Sequence, residues 1–542
     1  MPKSLKQISV LLFLLFFSFL GAEIPEKALK KMPPMNQIYH PVSTTSEQAQ
    51  NSFDRGLTYI FAYNHDIAFR EFEKASQYDP QLAMAYWGMA LALGQNINMD
   101  VTPANELKCY NYIQKAIQLS NNATLEEKAY ISALATRYTN NPSEDLIPLR
   151  YRYRDAMKKV AGEYPEDLDA ASMYAESILS LDPWKWWTPD GHPKEGTYEA
   201  IDVLESVLLR NPDHIGANHY YIHAWEESPF PQRALMSAHR LEWLLPESGH
   251  LLHMPCHIFL LVGDYESALK TNQKAIIQDK TYIKEFGFNS GEYPMHYLKH
   301  NLYIMTRIYM LMEDYDNAIK TAFEVTEFVK PHLQLQADFA MSFNIPLEIY
   351  LYFHKWQEIL DYKIDSSYAP LVAYWHFSRG VALAALGEVE SAKKEKTLFE
   401  ETIPKIKPQD EIAKVSARKV MELAETLLNA ALAEAENNPR EYERLLKKGV
   451  EIQDRFDYDE PPAWYIPVSQ MLGFAYLKQK KYAEAQTMFK TTLSKQQRNG
   501  RSLFGLYLSY KGQGKNVEAY WVEREMTAAL KNSSGTLNLN DL

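Results

Sequence analysis

Sulfur chemistry is nearly absent from this chain, whose 542 residues include two cysteines, Cys109 and Cys256. That excludes a disulfide-stapled scaffold and a CxxC metal knuckle; one optional bridge remains open, with nothing in the sequence to support it. No glycine-rich phosphate loop, serine elbow, dinucleotide fingerprint or HExxH pair occurs, so nucleotide, acyl-transfer and zincin chemistry lack their usual signatures. Convincing period-two strands are missing as well. Nor is there an excess of positive charge: 57 Lys and Arg against 69 Asp and Glu give a net charge of −12. A nucleic-acid partner held by bulk charge is therefore excluded. With 23% charged and 46% hydrophobic residues, the composition is that of a folded chain rather than a disordered one.

Long apolar runs are confined to one place. In MPKSLKQISVLLFLLFFSFLGAEIP, Lys3 and Lys6 precede the apolar stretch Ile8 to Leu20, and Gly21 and Ala22 precede Glu23. This is the layout of a secretory signal peptide over 1–22, and the run is short for a membrane span. No cysteine follows that could carry a lipid. Cleavage after Ala22 removes two lysines and no acids, giving −12 − 2 = −14 for the mature chain. The expected product is soluble, periplasmic or secreted, with no membrane span after cleavage; an uncleaved anchor helix is the alternative.

From Thr44 onward, apolar residues recur at helical spacing between short polar turns. Gly56 and Tyr59 are followed by Ala68, Phe72, Ala75 and Pro80. The pattern returns as Leu472, Gly473, Tyr476, Ala485 and Phe489. These residues resemble the tetratricopeptide repeat, a helix–turn–helix unit of about 34 residues. The small alanine of the second helix marks further units at Ala234, Ala268, Ala318, Ala392 and Ala519, with a weaker unit beginning at Ala83. The resemblance implies an all-α solenoid of helical hairpins, a right-handed superhelix whose first helices line a concave surface. Segments 120–165 and 405–455 read as helical but match the repeat poorly. The stretch LDPWKWWTPDGHPKEGT, with Trp184, Trp186 and Trp187, reads as an ordered aromatic insert. The expected organisation is a leader over 1–22, an N-terminal solenoid over 23–350 with the insert at 183–197, C-terminal repeats over 351–530 and a disordered tail over 531–542.

The histidines cluster. GANHYYIHAWEES carries His219, His223 and Glu226; GHLLHMPCHIF carries His250, His253 and His257; MHYLKHNLY carries His300 and Asn301. In the repeat register, with the small alanine at position 20, inward-facing positions are 2, 5, 9 and 12. Each of these histidines, and Glu226, falls on one of them. Spacings of three, four and seven share a helix face, and neighbouring helices lie about 10 Å apart, so the rings are expected to converge. Neutral imidazole binds zinc, copper and iron. His219, His223, His250, His253 and His257 are the candidate ligands of a transition metal (Zn, Cu or Fe). Glu226 is the candidate ligand or general base, and Asn218, His300 and Asn301 are candidate supporting groups. Ligation by histidine is expected to weaken below about pH 6. Trp87, at an inward position, and Trp187, in the insert, are candidate groove residues. Cys256 falls on the partner-facing side and reads as packing, with a soft-ligand role as the alternative. Asn64, His65 and the run Gln95 to Asn98 read as helix caps.

The runs NHYYIHAWEES, GHLLHMPCHI and AMAYWGMALALGQNINM together are similar to a group of exported bacterial tetratricopeptide-repeat proteins. That resemblance implies the fold and export but supplies no reaction. Two functions stay open: a metal-binding protein, with catalysis on a small-molecule substrate as its extension, or a metal-free scaffold gripping a peptide or an envelope protein.

Overall fold

The computed structural model describes residues 38–141, 144–286, 294–333, 337–533, 535 and 537–539. The expected signal peptide lies outside them. Among the described residues no helix is long and apolar enough to cross a membrane.

The chain is all-α and runs as consecutive helical hairpins. The first part comprises α1 (Glu47–Phe61), α2 (His65–Tyr78), α3 (Ala83–Leu93), α4 (Pro103–Leu119), α5 (Leu125–Ala135), α6 (Ile147–Glu163), α7 (Leu168–Leu179) and α8 (Thr197–Arg210). The middle comprises α9 (Ile215–Glu226), α10 (Leu235–Leu244), α11 (Gly249–Leu261), α12 (Tyr265–Phe286), α13 (Lys299–Leu311), α14 (Tyr315–Val329), α15 (Ile345–Tyr352) and α16 (Trp356–Asp361). The rest comprises α17 (Ala369–Ala385), α18 (Val389–Thr402), α19 (Ala417–Ala435), α20 (Pro439–Gln453), α21 (Val468–Lys478), α22 (Tyr482–Lys495), α23 (Gly500–Gly512) and α24 (Asn516–Ala529).

Local chemistry sets the helix ends. Ser46, Asp167, Ser248, Asp314 and Asn499 each accept a backbone N–H from the first turn of their helices, and Thr124 forms a capping box with Glu127. One left-handed residue turns each of the tight hairpins: Tyr63, Gly263, Glu313, His354, Gly387, Asn437, Lys480 and Gly514. Five of these are not glycine, so the turn is held against a local cost of about 1–2 kcal/mol by the packing of the two helices it joins. Between α3 and α10 the connections are longer, and the one from α7 to α8 carries three left-handed residues, Trp184, Gly191 and Gly196. This stretch includes 120–165, where the repeat pattern fades in the sequence.

Within the regular units, an aromatic ring fills the space that a glycine leaves open. Phe72 on α2 packs against Gly56 on α1 and Gly88 on α3; a Cβ at either glycine would lie 2.7 or 2.4 Å from the ring. Phe489 on α22 sits the same way between Gly473 and Gly505, at 2.7 and 2.2 Å. Two main apolar cores result, one from Ala49 to Tyr352 with Tyr465 added, the other from Ala340 to Ala519.

One expectation needs correction. Residues 406–416 are not helical: Glu411–Ile412 pairs with Val415–Ser416 in a short antiparallel hairpin, β1 and β2, turned at Ala413 with φ 55°. This is the one two-stranded ladder among the described residues. Of the tail read as disordered, Lys531 and Asn532 reach Glu266, each at 2.7 Å; residues 534, 536 and 540–542 lie outside the described ones.

The array also closes on itself, which the repeat pattern does not disclose. The α1–α2 corner is inserted between α9 and α11: Ser248 Oγ donates to Asn64 Oδ1 at 2.7 Å, and Tyr297 OH donates to the Tyr63 carbonyl at 3.3 Å. From the other end, Arg501 on α23 forms a buried pair with Glu313 at 2.8 and 3.0 Å and donates to the Tyr352 carbonyl. Tyr265 OH donates to the Gln497 carbonyl at 2.6 Å, and Tyr465 OH to that of Arg307 at 3.3 Å.

Candidate metal centre

All the histidines placed inward by the register do point inward, but they form two sets rather than one. His219 and His223 on α9 join His250 on α11; His253 and His257 on α11 join His300 on α13. In the first set, His219 Nε2 lies 3.0 Å from His223 Nε2 and 3.1 Å from His250 Nε2. In the second, His253 Nε2 lies 2.8 Å from His257 Nε2 and 3.0 Å from His300 Nε2. His300, read from the sequence as a supporting group, therefore stands level with the others. Five of the rings are almost fully buried, from 0% exposure at His219 to 5% at His250 and His257, and His300 is half-buried.

The outer nitrogens fix the protonation of the inner ones. His219 Nδ1 is 2.7 Å from the Phe61 carbonyl, which can only accept, so Nδ1 carries the hydrogen and a neutral ring leaves Nε2 bare. For His253 the partner is Asn272 Oδ1 at 2.8 Å. The Asn272 amide is oriented by donating its Nδ2 to the Asn301 carbonyl, so the acceptor oxygen faces His253 and Nε2 is again bare. Each bare nitrogen has one lone pair and two ring nitrogens at hydrogen-bond distance. That lone pair accepts one N–H well; the remaining contact is either a second N–H crowding the same lone pair or lone pair against lone pair. A metal ion relieves both at once. With bonds of about 2.0–2.1 Å it holds donor nitrogens about 2.8–3.4 Å apart, from a right angle at the ion to a tetrahedral one, and the observed spacings of 2.8–3.1 Å lie at the lower end of that range.

Charge leads the same way. Burial lowers the ring pKa values of His219, His250, His257 and His300 well below the ordinary range, with neighbouring rings adding to the effect. Burial brings His253 to about 4 against the Asn272 hydrogen bond. Burial and the Lys414 charge bring His223 to about 3. The rings are thus neutral at pH 7, the form in which imidazole can bind a metal. Glu226 stands behind the rings: Oε1 is 2.6 Å from His223 Nδ1 and Oε2 is 3.5 Å from His257 Nδ1. It belongs to neither set of inner atoms, so it orients rings rather than completing a ligand set. Burial raises its pKa well above the usual range.

The other sequence candidates divide. Asn218 donates to the Pro212 and His214 carbonyls, which ties down the start of α9 rather than a ligand ring. Asn301 acts at one remove, through Asn272 and through Asp279, to which its Nδ2 donates at 2.7 Å. Trp87 is a correction: it packs in the first core against Phe53 and Tyr130. Trp187 clamps the insert to α9, donating to the Ala224 carbonyl at 2.9 Å and packing on Trp225; Trp184 instead meets the His223 ring edge at 5.3 Å. Asn64 makes no cap hydrogen bond, and Asn98 faces His250 at 3.5 Å. Cys256 and Cys109 are both buried and unbridged.

Several residues around the rings escaped the sequence reading. Tyr63 meets His219 at 4.6 Å and stacks on His223 and His250, while Tyr297 covers His250 at 4.9 Å. Lys414, from the β1–β2 turn, lies over Trp184 at 4.4 Å and beside Asp459 at 3.6 Å. A cavity of about 670 Å³ between the insert and the C-terminal repeats is lined by Trp184, Glu226, Arg307, Tyr458, Glu460 and Tyr465, among others. It reaches the site at Glu226. No sequence signal points to these residues; they arrive through closure of the array.

No protein-family model matches the chain, and no curated protein matches it. Among solved structures it is similar to the P58(IPK) TPR domain, 13% identical over 86% of this chain and 99% of that one, with a TM-score of 0.21. It is likewise similar to a human IFIT1 dimer with m7Gppp-AAAA, 12% identical over 91% and 92% with a TM-score of 0.35. Yeast Tom70 is 14% identical over 89% and 100% with a TM-score of 0.29. The assignment of a tetratricopeptide-type solenoid rests on the hairpins and the glycine–phenylalanine packing described above.

Proposed function

We propose that this protein is an exported, transition-metal-binding solenoid, with an ion held by His219, His223 and His250. The observation that carries the reading is the bare Nε2 of His219, set 3.0 and 3.1 Å from two further ring nitrogens in a buried site. Zinc, copper and iron all suit an all-imidazole set. Three neutral ligands leave a coordination position open, so a metalloenzyme acting on a small molecule is the natural extension. In that case the 670 Å³ cavity is the substrate's place, and Glu226, at its inner end, is the group positioned to take a proton. Export rests on the leader-like sequence over 1–22.

A helical-hairpin solenoid also serves as a scaffold for protein partners. A metal-free groove that grips an extended peptide through these histidines is the weaker reading, because the rings are buried by the α1–α2 corner and by the insert.

The test is elemental analysis of untagged protein, with His219→Asn and His250→Asn beside it. The expected outcome is a transition metal retained through gel filtration by the natural protein and lost from the first set in both variants. Protein that carries no metal and takes up neither zinc, copper nor iron would overturn the reading.

A further inference from the structure

We infer that the protein holds two ions, one at each histidine set, with Glu226 joining the two centres from behind. This rests on the metal-binding reading above and extends it to a second site.

The second set has its own argument. Asn272 fixes the His253 tautomer, and the bare His253 Nε2 then faces His257 and His300 at 2.8 and 3.0 Å. Nothing in the first set enters that reasoning. One ion cannot serve both sets: with bonds of about 2.1 Å it spans donors at most about 4.2 Å apart, whereas within 4.8 Å the inner atoms gather as two separate threes. Helix α11 supplies both, His250 to one and His253 with His257 to the other. A three-residue step on a helix separates side chains by about 5–6 Å at Cβ, which sets the scale of the gap.

Glu226 supplies the link. Its Oε1 is bonded to His223 Nδ1 in the first set. Its Oε2 points at His257 Nδ1 in the second, 3.5 Å away. Both of those last atoms are buried and have no hydrogen-bond partner, a costly arrangement for a carboxyl oxygen and a ring nitrogen. An ion on His257 Nε2 would require the hydrogen on Nδ1, aimed at Oε2, and its charge would hold Glu226 ionised. Both orphaned atoms are then satisfied by one ion. The class of cofactor is a pair of first-row divalent ions that prefer imidazole nitrogen. Cys256, on the same helix, belongs to neither set.

The test uses the full mature chain, stripped with a chelator and titrated with zinc under calorimetry, then analysed for metal after gel filtration. Two equivalents are expected. The pair His219→Asn with His250→Asn should keep one, and so should the pair His253→Asn with His300→Asn. Copper loading gives a second readout: magnetically interacting spins in the natural protein, and an isolated signal in each double variant. Glu226→Gln should still bind but lose about 10–100-fold in affinity for an ion, as removal of an outer partner of a ligand does. One equivalent in the natural protein, abolished by the first pair and untouched by the second, would overturn the two-ion inference and leave the proposed function standing. No zinc at all would overturn both. The natural protein's stoichiometry decides the matter even if a double variant fails to fold.

Discussion

A buried imidazole is silent about its purpose until its outer nitrogen is accounted for. At His219 the Phe61 carbonyl does that accounting, which makes position 219 the most sensitive in the first set. His219→Asn should cost more than about 100-fold in metal affinity, since even outer partners cost about 10–100-fold; competition with a chromophoric chelator reads it directly. A different histidine belongs to stability. His40 is 2.9 Å from Asp169, which His214 also contacts at 3.1 Å. Burial would lower the His40 ring, but the Asp169 hydrogen bond and the charges of Asp169, Asp167 and Glu126 outweigh it and raise the ring to about 9. A raised folded value means stabilisation that is fully present below the unfolded pKa of about 6.5 and lost as pH climbs through 9. Thermal melts at pH 7 and pH 10 should show His40→Asn destabilised by about 3 kcal/mol at the lower pH and converging on the natural protein at the higher. Equal differences at both would show that the pair is not charged.

At the scale of the element, the repeat is a contract between a ring and two glycines. Gly88→Ala would place a methyl 2.4 Å from the Phe72 ring, and overpacking of this kind costs about 1–3 kcal/mol. The expected result is a lower urea midpoint with an unchanged slope. Gly387→Ala, at a turn with φ 80° and open space around it, should instead report backbone strain alone, about 1–2 kcal/mol. These units were legible in the sequence because glycine, alanine and phenylalanine recur at fixed intervals. The inward face of α9 and α11 was legible for the same reason: helical spacing alone places His219, His223, His250, His253 and His257. Spacing could not say that the rings divide into two sets, because that depends on which face of α11 meets α9 and which meets α13. Nor could it find Asn272, whose role exists only through its contact with His253. The β1–β2 hairpin was missed because two-residue strands carry no periodicity.

At the scale of the molecule, the sites are closed by segments far away in the chain. The α1–α2 corner brings Tyr63, the insert brings Trp184, and the hairpin brings Lys414. Repeat patterns report contacts between neighbours, so this long-range closure left no trace in the sequence. The Glu313–Arg501 pair is part of what holds it, and breaking a buried pair from one side costs about 3–5 kcal/mol. Arg501→Ala should lower the melting temperature and raise amide exchange in α13 and α15 as well as in α23, which hydrogen-exchange mass spectrometry resolves; a change confined to α23 would show that the ends fold independently.

Closure also separates how tightly an ion is held from how fast it leaves. The proposed ion at the first set is covered on one side by the α1–α2 corner, tied at Asn64–Ser248, so the cavity that reaches Glu226 is the way by which a competing chelator would meet it. A chelator small enough to enter that cavity should strip the ion at a rate that rises with its concentration, and one too large to enter should strip it at a single slow rate.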